Sequence, residues 1–163
     1  MARPRFDSAV TLSVLDRLTD REPRNSREAA LTHSQSARQL KEAVRRDLEW
    51  LLNTRIIAVP PDTRLHEVNR SVYVYGLPDF TAYSLASPED QSRLIRHLQN
   101  AIRMFEPRLD KVRIVPLDVE GPNTRILRFR IEALLLMDPA PEHISFDTTL
   151  QLTSGEYEVA SAG

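Results

Sequence analysis

The chain has 163 residues, enough for one domain with a substantial core, and its 41% hydrophobic and 28% charged residues are typical of a folded protein. Its 22 basic and 23 acidic residues give a formal net charge of −1, so no overall field would hold nucleic acid or an anionic membrane. The absence of cysteine excludes disulfides, thiolate metal sites and a cysteine nucleophile.

The positions of the glycines and the short length of the apolar runs exclude further classes of protein. The four glycines lie far apart, which leaves no glycine-rich phosphate loop and no dinucleotide-binding fingerprint. The longest apolar run, residues 133–137, is too short to span a membrane, and the N-terminus has no apolar segment of a signal peptide. We therefore expect a cytoplasmic protein without direct membrane insertion.

Residues 1–33 are expected to form an N-terminal arm, and residues 34–163 a single domain. The arm is polar and broken, with one apolar cluster that predicts a short helix at residues 13–19. We expect its leucines to dock onto a neighbour.

A long amphipathic helix is predicted over residues 34–53. Thr32 and Gln35 have the spacing of a capping box at its start. Its charged residues indicate either a solvated face or a surface that binds a partner. Trp50, near the end of the helix, is either a core residue or an interface anchor. The apolar stripe, with spacings of three and four, consists of Ala37, Leu40, Val44, Leu48, Leu51 and Leu52.

A second amphipathic helix begins after Ser87, where a capping serine precedes Pro88 and two acidic residues. Pro107 ends it, because proline disfavours helical geometry in the residue before it. Residues 54–87, between the helices, are predicted to be irregular, with an apolar run at residues 71–80 that closes in a turn at Gly76.

After the second helix the hydrophobic period becomes two, which predicts strands. The predicted strands cover residues 111–119, 125–137 and 145–152, and a last strand runs through residues 157–159. Pro116 marks the first strand as an edge or a bulge. The fold class is α+β, with two main amphipathic helices packed on a small antiparallel β-meander.

Few residues carry recognisable chemistry. None of the four histidines has metal-ligand spacing, and no serine-nucleophile motif is present, so we expect neither a metal nor a cofactor. Glu106, at the junction of helix and strand, is expected to be buried. It is either a general acid or an anion paired with Arg108 or another arginine, and the pairing is favoured because arginines are abundant.

Five ordered blocks, spread over about residues 10–159, resemble the TssE family of type VI secretion baseplate subunits. The signature is the tripeptide Glu106, Pro107 and Arg108. The blocks are residues 13–20, 44–55, 71–79, 105–109 and 146–150.

The resemblance implies a structural baseplate wedge subunit, not an enzyme, that links the baseplate to the contractile sheath and helps start sheath assembly. It implies the partners TssF, TssG and TssK in the baseplate and TssB and TssC in the sheath, at a baseplate docked near the inner membrane of the bacterial cytoplasm. It also suggests sheet edges offered to sheath strands, of which we favour the C-terminal one over the Pro116 edge.

The same resemblance assigns a structural or assembly role to Glu106, Pro107 and Arg108. Candidate interaction residues are Trp50 and the turn formed by Tyr75, Gly76, Leu77, Pro78 and Asp79.

A peptidoglycan hydrolase of the muramidase kind is the alternative, since the family has carried the label of an acidic lysozyme. It ranks lower because the sequence commits no second carboxylate to a cleft. Glu106→Gln discriminates the two: a hydrolase would lose turnover completely, whereas a structural subunit would tolerate the change.

Overall fold

The computed structural model describes residues 13–19, 32–57, 59–80, 83–84, 87–117, 126–138, 140–151 and 154–161. Its helices are α1 (Val14–Leu18), α2 (His33–Asn53) and α3 (Pro88–Phe105), with two 3₁₀ turns at Val68–Arg70 and Val72–Val74. Its strands are β1 (Leu109–Leu117), β2 (Ile126–Leu135), β3 (Glu142–Gln151) and β4 (Glu156–Ser161).

Both long helices begin where the sequence predicts. At α2 the Thr32 hydroxyl accepts the Gln35 backbone N–H, and the Gln35 side chain accepts the Thr32 N–H at 3.0 Å, so the capping box is confirmed. At α3 the Ser87 hydroxyl accepts the Asp90 N–H, and Pro88 is the first helical residue. The apolar stripes of both helices are buried.

The four strands form one antiparallel sheet in the order β1-β2-β3-β4, which confirms the predicted meander. β1 starts two residues earlier than predicted, at Leu109, and has an irregularity after Asp110 where Lys111 adopts a φ of 51°. β2 ends at Leu135, two residues short of the prediction. The predicted ends near residues 119 and 125, and the turn at Gly121, lie outside the described residues.

One face of the sheet forms the core with α2 and α3. Leu127, Phe129 and Ile131 of β2 are buried, whereas Arg128 on the same strand is exposed, as the alternation predicts. The α+β class is therefore confirmed. None of the helices in the described part of the chain is long and apolar enough to cross a membrane.

The segment between α2 and α3 is held to the end of α2. Leu77 forms a single parallel bridge with Arg55, and its N–H donates to the Thr54 carbonyl at 2.8 Å. Leu77 is fully buried, so this turn is anchored in the core although it contains no strand.

β1 and β4 are the two edge strands, as expected. At the β4 edge, the outer carbonyls accept hydrogen bonds from side chains of α2 and the residues after it, so this edge is partly covered in the isolated chain. The pairing of this edge with a sheath strand stays a prediction.

Candidate functional site: an ionic cluster between the helices and the sheet

The tripeptide of Glu106, Pro107 and Arg108 joins α3 to β1. The Glu106 N–H still donates to the Ile102 carbonyl of the last helical turn at 2.8 Å. Pro107 then prevents the helix from continuing, and β1 begins at Leu109. Glu106 is buried, with only 4% of its surface exposed, so its charge requires a partner.

Arg108 is that partner, which confirms the predicted pairing. Its Nε donates to Glu106 Oε1 at 2.6 Å, and its Nη2 donates to Glu106 Oε2. Nη2 also donates to Asp47 Oδ2 at 2.6 Å, so one guanidinium binds two carboxylates. Burial alone would lower the pKa of Arg108, but the hydrogen bonds and charges of Glu106 and Asp47 raise it above its ordinary value.

The ionic contacts continue from Asp47 to the N-terminal arm. Asp47 Oδ1 accepts from Arg46 Nη2 at 2.8 Å, and Arg46 Nη1 donates to Asp16 of α1 at 2.8 Å. Burial raises the pKa of Asp16, but hydrogen bonds from Arg46 and Ser13 outweigh it and leave that pKa below its ordinary value. We call Asp16, Arg46, Asp47, Glu106 and Arg108 the ionic cluster.

Within the described residues 13–19 of the arm, the contact with the domain runs through this cluster and not through Leu15 or Leu18. Asp16 faces Arg46, whereas Val14, Leu15 and Leu18 are exposed by 71%, 57% and 77%. Five helical residues cannot bury both faces against one surface, and here the polar face is inward. Leu15 and Leu18 therefore do not dock onto the described part of the chain, and Val10 and Leu12 of the predicted cluster lie outside the described residues.

Trp50 lies beside the cluster on the surface. The guanidinium of Arg46 stacks over its indole ring at 4.9 Å, and half of the side chain is exposed. Of the two interpretations drawn from the sequence, a core tryptophan is therefore wrong.

The turn at residues 75–79 reaches the cluster through Tyr75. The ring of Tyr75 packs edge-on against Phe105 at 5.1 Å between centroids. Burial, followed by the nearby carboxylates of Asp47 and Glu106, raises the pKa of its hydroxyl. Two regions that the sequence indicated separately, the turn and the tripeptide, thus meet at one place.

Gly76 allows the turn to approach α2. Its φ is +112°, and an added Cβ would lie 2.4 Å from the Thr54 carbonyl oxygen. Beyond it, Leu77 is buried, Pro78 is half-buried and Asp79 is exposed. The last two therefore face away from the core.

Sequence reasoning missed Asp47, Arg46 and Asp16 as members of this site. Asp47 lies 61 residues from Arg108 and is one of several charged residues on α2. No spacing rule distinguishes it from its neighbours, since only the packing of α2 against the end of α3 brings it to Arg108.

The arrangement is suited to holding geometry. Both carboxylate oxygens of Glu106 accept hydrogen bonds from Arg108, which leaves neither poised to transfer a proton to a substrate. In the described ranges, no group of three or more histidine, aspartate or glutamate side chains could hold a metal ion. The nearby cleft of about 330 Å³ has no carboxylate in its lining, which is formed by Thr54, Arg55, Ile57, Val72, Tyr73 and Tyr75.

The sequence pattern of the family described as "Baseplate wedge protein gp25" matches residues 38–140. This span is more than half of the chain and contains the turn and the tripeptide. The chain therefore belongs to the baseplate wedge protein gp25 family, whose members are structural components of baseplates.

No curated protein sequence matches the chain. One chain of a solved structure described as "The baseplate complex from the type VI secretion system" is 18% identical to it, with a TM-score of 0.48. That alignment covers 77% of this chain and 97% of the other.

Proposed function

We propose that this protein is a structural wedge subunit in the baseplate of a bacterial type VI secretion system. Membership in the baseplate wedge family, over residues 38–140, is the observation that carries the proposal. The resemblance of the five sequence blocks to the TssE family supplies the choice of secretion machine. The proposal assigns no catalysis and no cofactor to the chain.

The ionic cluster gives the tripeptide a role in that assembly. Arg108 fixes the exit of α3 relative to α2 by binding Glu106 and Asp47 together. Arg46 extends the same contacts to α1 through Asp16. A subunit that is bound on several sides needs this fixed geometry, because each partner then meets a preformed surface.

The proposed contacts with other baseplate proteins lie on the surface beside the cluster. Trp50, Ile57, Val72 and Tyr73 are exposed on α2 and the segment that follows it. Aromatic and aliphatic side chains of this kind anchor protein interfaces. We assign this surface to the wedge partners TssF, TssG and TssK.

The sheet edges are the proposed contact with the sheath proteins TssB and TssC. At the β1 edge, Pro116 removes one backbone donor, which limits strand addition there. Through this contact the subunit would link the baseplate to the sheath and help sheath assembly begin. The proposed site of action is the cytoplasmic face of the cell envelope, where the baseplate docks near the inner membrane.

Affinity purification of the protein from its own cells, with the co-purifying chains quantified, tests the proposal. We expect TssF-like and TssG-like chains in a fixed ratio, and we expect Trp50→Ala to reduce their recovery. Arg93→Ala is the matched control, since Arg93 is exposed on α3. Recovery of the wild-type protein alone, as a free monomer under gentle conditions, contradicts the baseplate role.

The peptidoglycan hydrolase alternative is tested by assaying the wild-type protein and Glu106→Gln on purified peptidoglycan. If Glu106 were a general acid, the wild-type protein would release soluble fragments from purified peptidoglycan and Glu106→Gln would release none. We expect no turnover from either protein, because the Glu106 carboxylate is hydrogen-bonded to Arg108.

A further inference from the structure

The outer edge of β4 is one of the two sheet edges proposed above to contact the sheath proteins, and side chains of this chain already bind to it. β4 pairs with β3 on one side only, so the backbone groups of alternate residues point away from the sheet on the other. An exposed edge of this kind is a template for pairing with another chain. In this structure the carbonyls of residues 155, 157 and 159 and the N–H of Tyr157 form hydrogen bonds with side chains outside the sheet.

Asn53, the last residue of α2, pairs with Tyr157 as a strand would. Its Nδ2 donates to the Tyr157 carbonyl at 2.8 Å, and its Oδ1 accepts the Tyr157 N–H at 2.9 Å. Nδ2 also donates to the Glu49 carbonyl at 2.9 Å, which holds the amide in place. One side chain therefore satisfies both backbone groups of the central edge residue.

Two arginines engage the carbonyls on either side. Arg45 Nη1 donates to the Val159 carbonyl at 2.9 Å, and Arg55 Nη2 donates to the Gly155 carbonyl. Glycine at 155 is what admits Arg55, since an added Cβ would lie 2.5 Å from Nη2. Arg45, Asn53 and Arg55 thus donate to the alternate carbonyls of residues 159, 157 and 155, so the donors and the carbonyls follow opposite directions along the chain.

Arg45 is itself held in position. Its guanidinium donates to Glu42 at 2.8 Å and to Glu49 at 3.1 Å, one turn before and one turn after it on α2. The Arg45 side chain is about three-quarters covered, whereas the side chains of Glu42 and Glu49 are exposed by 51% and 34%. These two ion pairs hold the guanidinium over β4.

We propose that Arg45, Asn53 and Arg55 form a latch that closes the β4 edge, so that an extended segment of another chain pairs there only after the latch is released. The latch is a property of this fold and does not depend on the baseplate assignment. Its consequence is that the sheet of the isolated subunit is protected from edge-to-edge association.

The open face of β4 defines which segment the released edge would accept. Glu156 and Glu158 are exposed on that face, while Tyr157 and Val159 point into the core. Side chains directly opposite on neighbouring strands interact, and like charges there are destabilising. The accepted segment is therefore an extended one that alternates basic and apolar residues, and a second copy of β4 is disfavoured.

Asn53→Ala opens the latch without touching the core, because Asn53 is exposed. The probe is an acetylated peptide as long as β4 that alternates lysine and valine. We expect it to bind the variant about tenfold more tightly than the wild-type protein, with the largest NMR shifts at the amides of Tyr157 and Val159. The same peptide with glutamate in place of lysine should bind neither protein.

Asn100→Ala is the matched control, since Asn100 is exposed on α3. Arg45→Gln is a second opening variant, which removes the bond to Val159 and retains good helix propensity. In Asn53→Ala the Tyr157 amide should exchange with solvent faster than in the control. In Arg45→Gln the amides of β4 beside Val159 should do so. Equal binding of the lysine peptide to wild-type and variant proteins overturns the proposal, and so does binding to none of them.

Discussion

Arg108 binds two carboxylates with one guanidinium, and this double contact determines how far removal of Arg108 would lower the stability of the fold. Glu106 is almost fully buried, and Asp47 lies on a different helix. Removing the arginine leaves a buried anion without a partner, which costs much more than the net stabilisation of an intact pair.

Arg108→Ala should therefore lower the free energy of unfolding by about 3–5 kcal/mol, measured by urea denaturation. Arg93→Ala, at an exposed position of α3, should stay within about 0.5 kcal/mol of the wild type. A loss below about 1 kcal/mol for Arg108→Ala would show that Glu106 finds solvent or another cation instead.

Tyr157 presents the opposite case, a buried polar group that is not satisfied. Its ring packs against Phe129 and only 3% of the residue is exposed, yet its hydroxyl has no hydrogen-bond partner among the described residues. Burial raises the pKa of this hydroxyl above its ordinary value of 10.0, with the charge of Arg55 opposing.

Tyr157→Phe is expected to leave the free energy of unfolding unchanged or to raise it by about 1 kcal/mol at pH 7. The pKa of the Tyr157 hydroxyl is higher in the folded than in the unfolded protein. The unfolded chain therefore ionises first as the pH rises above 10, and the wild-type protein loses stability there. The variant should consequently lose less stability than the wild type between pH 7 and about pH 11 in urea titrations. Destabilisation at neutral pH would reveal a partner for the hydroxyl.

At the scale of elements, the turn at residues 75–79 is fixed to α2 by backbone contacts. The Leu77 N–H donates to Thr54, and the Leu77 carbonyl accepts the Ile56 N–H at 3.0 Å. Gly76 lies where the two segments approach most closely, and its obstacle is a backbone atom that cannot rotate away.

Gly76→Ala should lower the unfolding free energy by about 2 kcal/mol or more, since a φ of +112° is strained for alanine and its Cβ meets the Thr54 oxygen. Gly155→Ala is the comparison, because its φ is also positive but its Cβ meets the movable end of Arg55. Thermal unfolding of both variants should rank Gly76→Ala as the less stable, and the reverse order would contradict the close approach.

At the scale of the whole molecule, ionic contacts join parts of the fold that the apolar core does not. α1 is the clearest case, since Asp16 ties it to α2 while its apolar residues are exposed. On the open sheet face, Arg130 of β2 pairs with Asp147 of β3 at 2.6 Å. Both aspartates have pKa values below the ordinary 3.8: for Asp16 the bonds to Arg46 outweigh burial, and for Asp147 the bond to Arg130 is the main cause.

Stability should accordingly fall in acid. Because the folded pKa values are the lower ones, these carboxylates stabilise the fold above about pH 4 and cease to do so as the pH falls through the folded values. Amide exchange should show α1 losing protection first, and Asp16→Asn should release α1 already at pH 7. Full protection of α1 at pH 3 would contradict its ionic attachment.

The sequence by itself determined the α+β class, both long helices with their caps and the antiparallel meander, and it favoured a pairing of Glu106 with Arg108 or another arginine. These features are local: a capping box joins residues three positions apart, an apolar stripe repeats within two turns, and Arg108 is two residues from Glu106. The division into an arm at residues 1–33 and a domain at residues 34–163 stays a prediction.

Only the tertiary structure decided that Asp47 joins Arg108, that Trp50 is at the surface and that side chains of α2 and the residues after it bind the β4 edge. Each of these depends on contacts across 60 residues or more, or on which face of an element is covered. Charged and amide side chains on α2 look alike in the sequence, because their spacing indicates only the exposed side of the helix. Packing of α2 against α3 and β4 selects the few that find a partner.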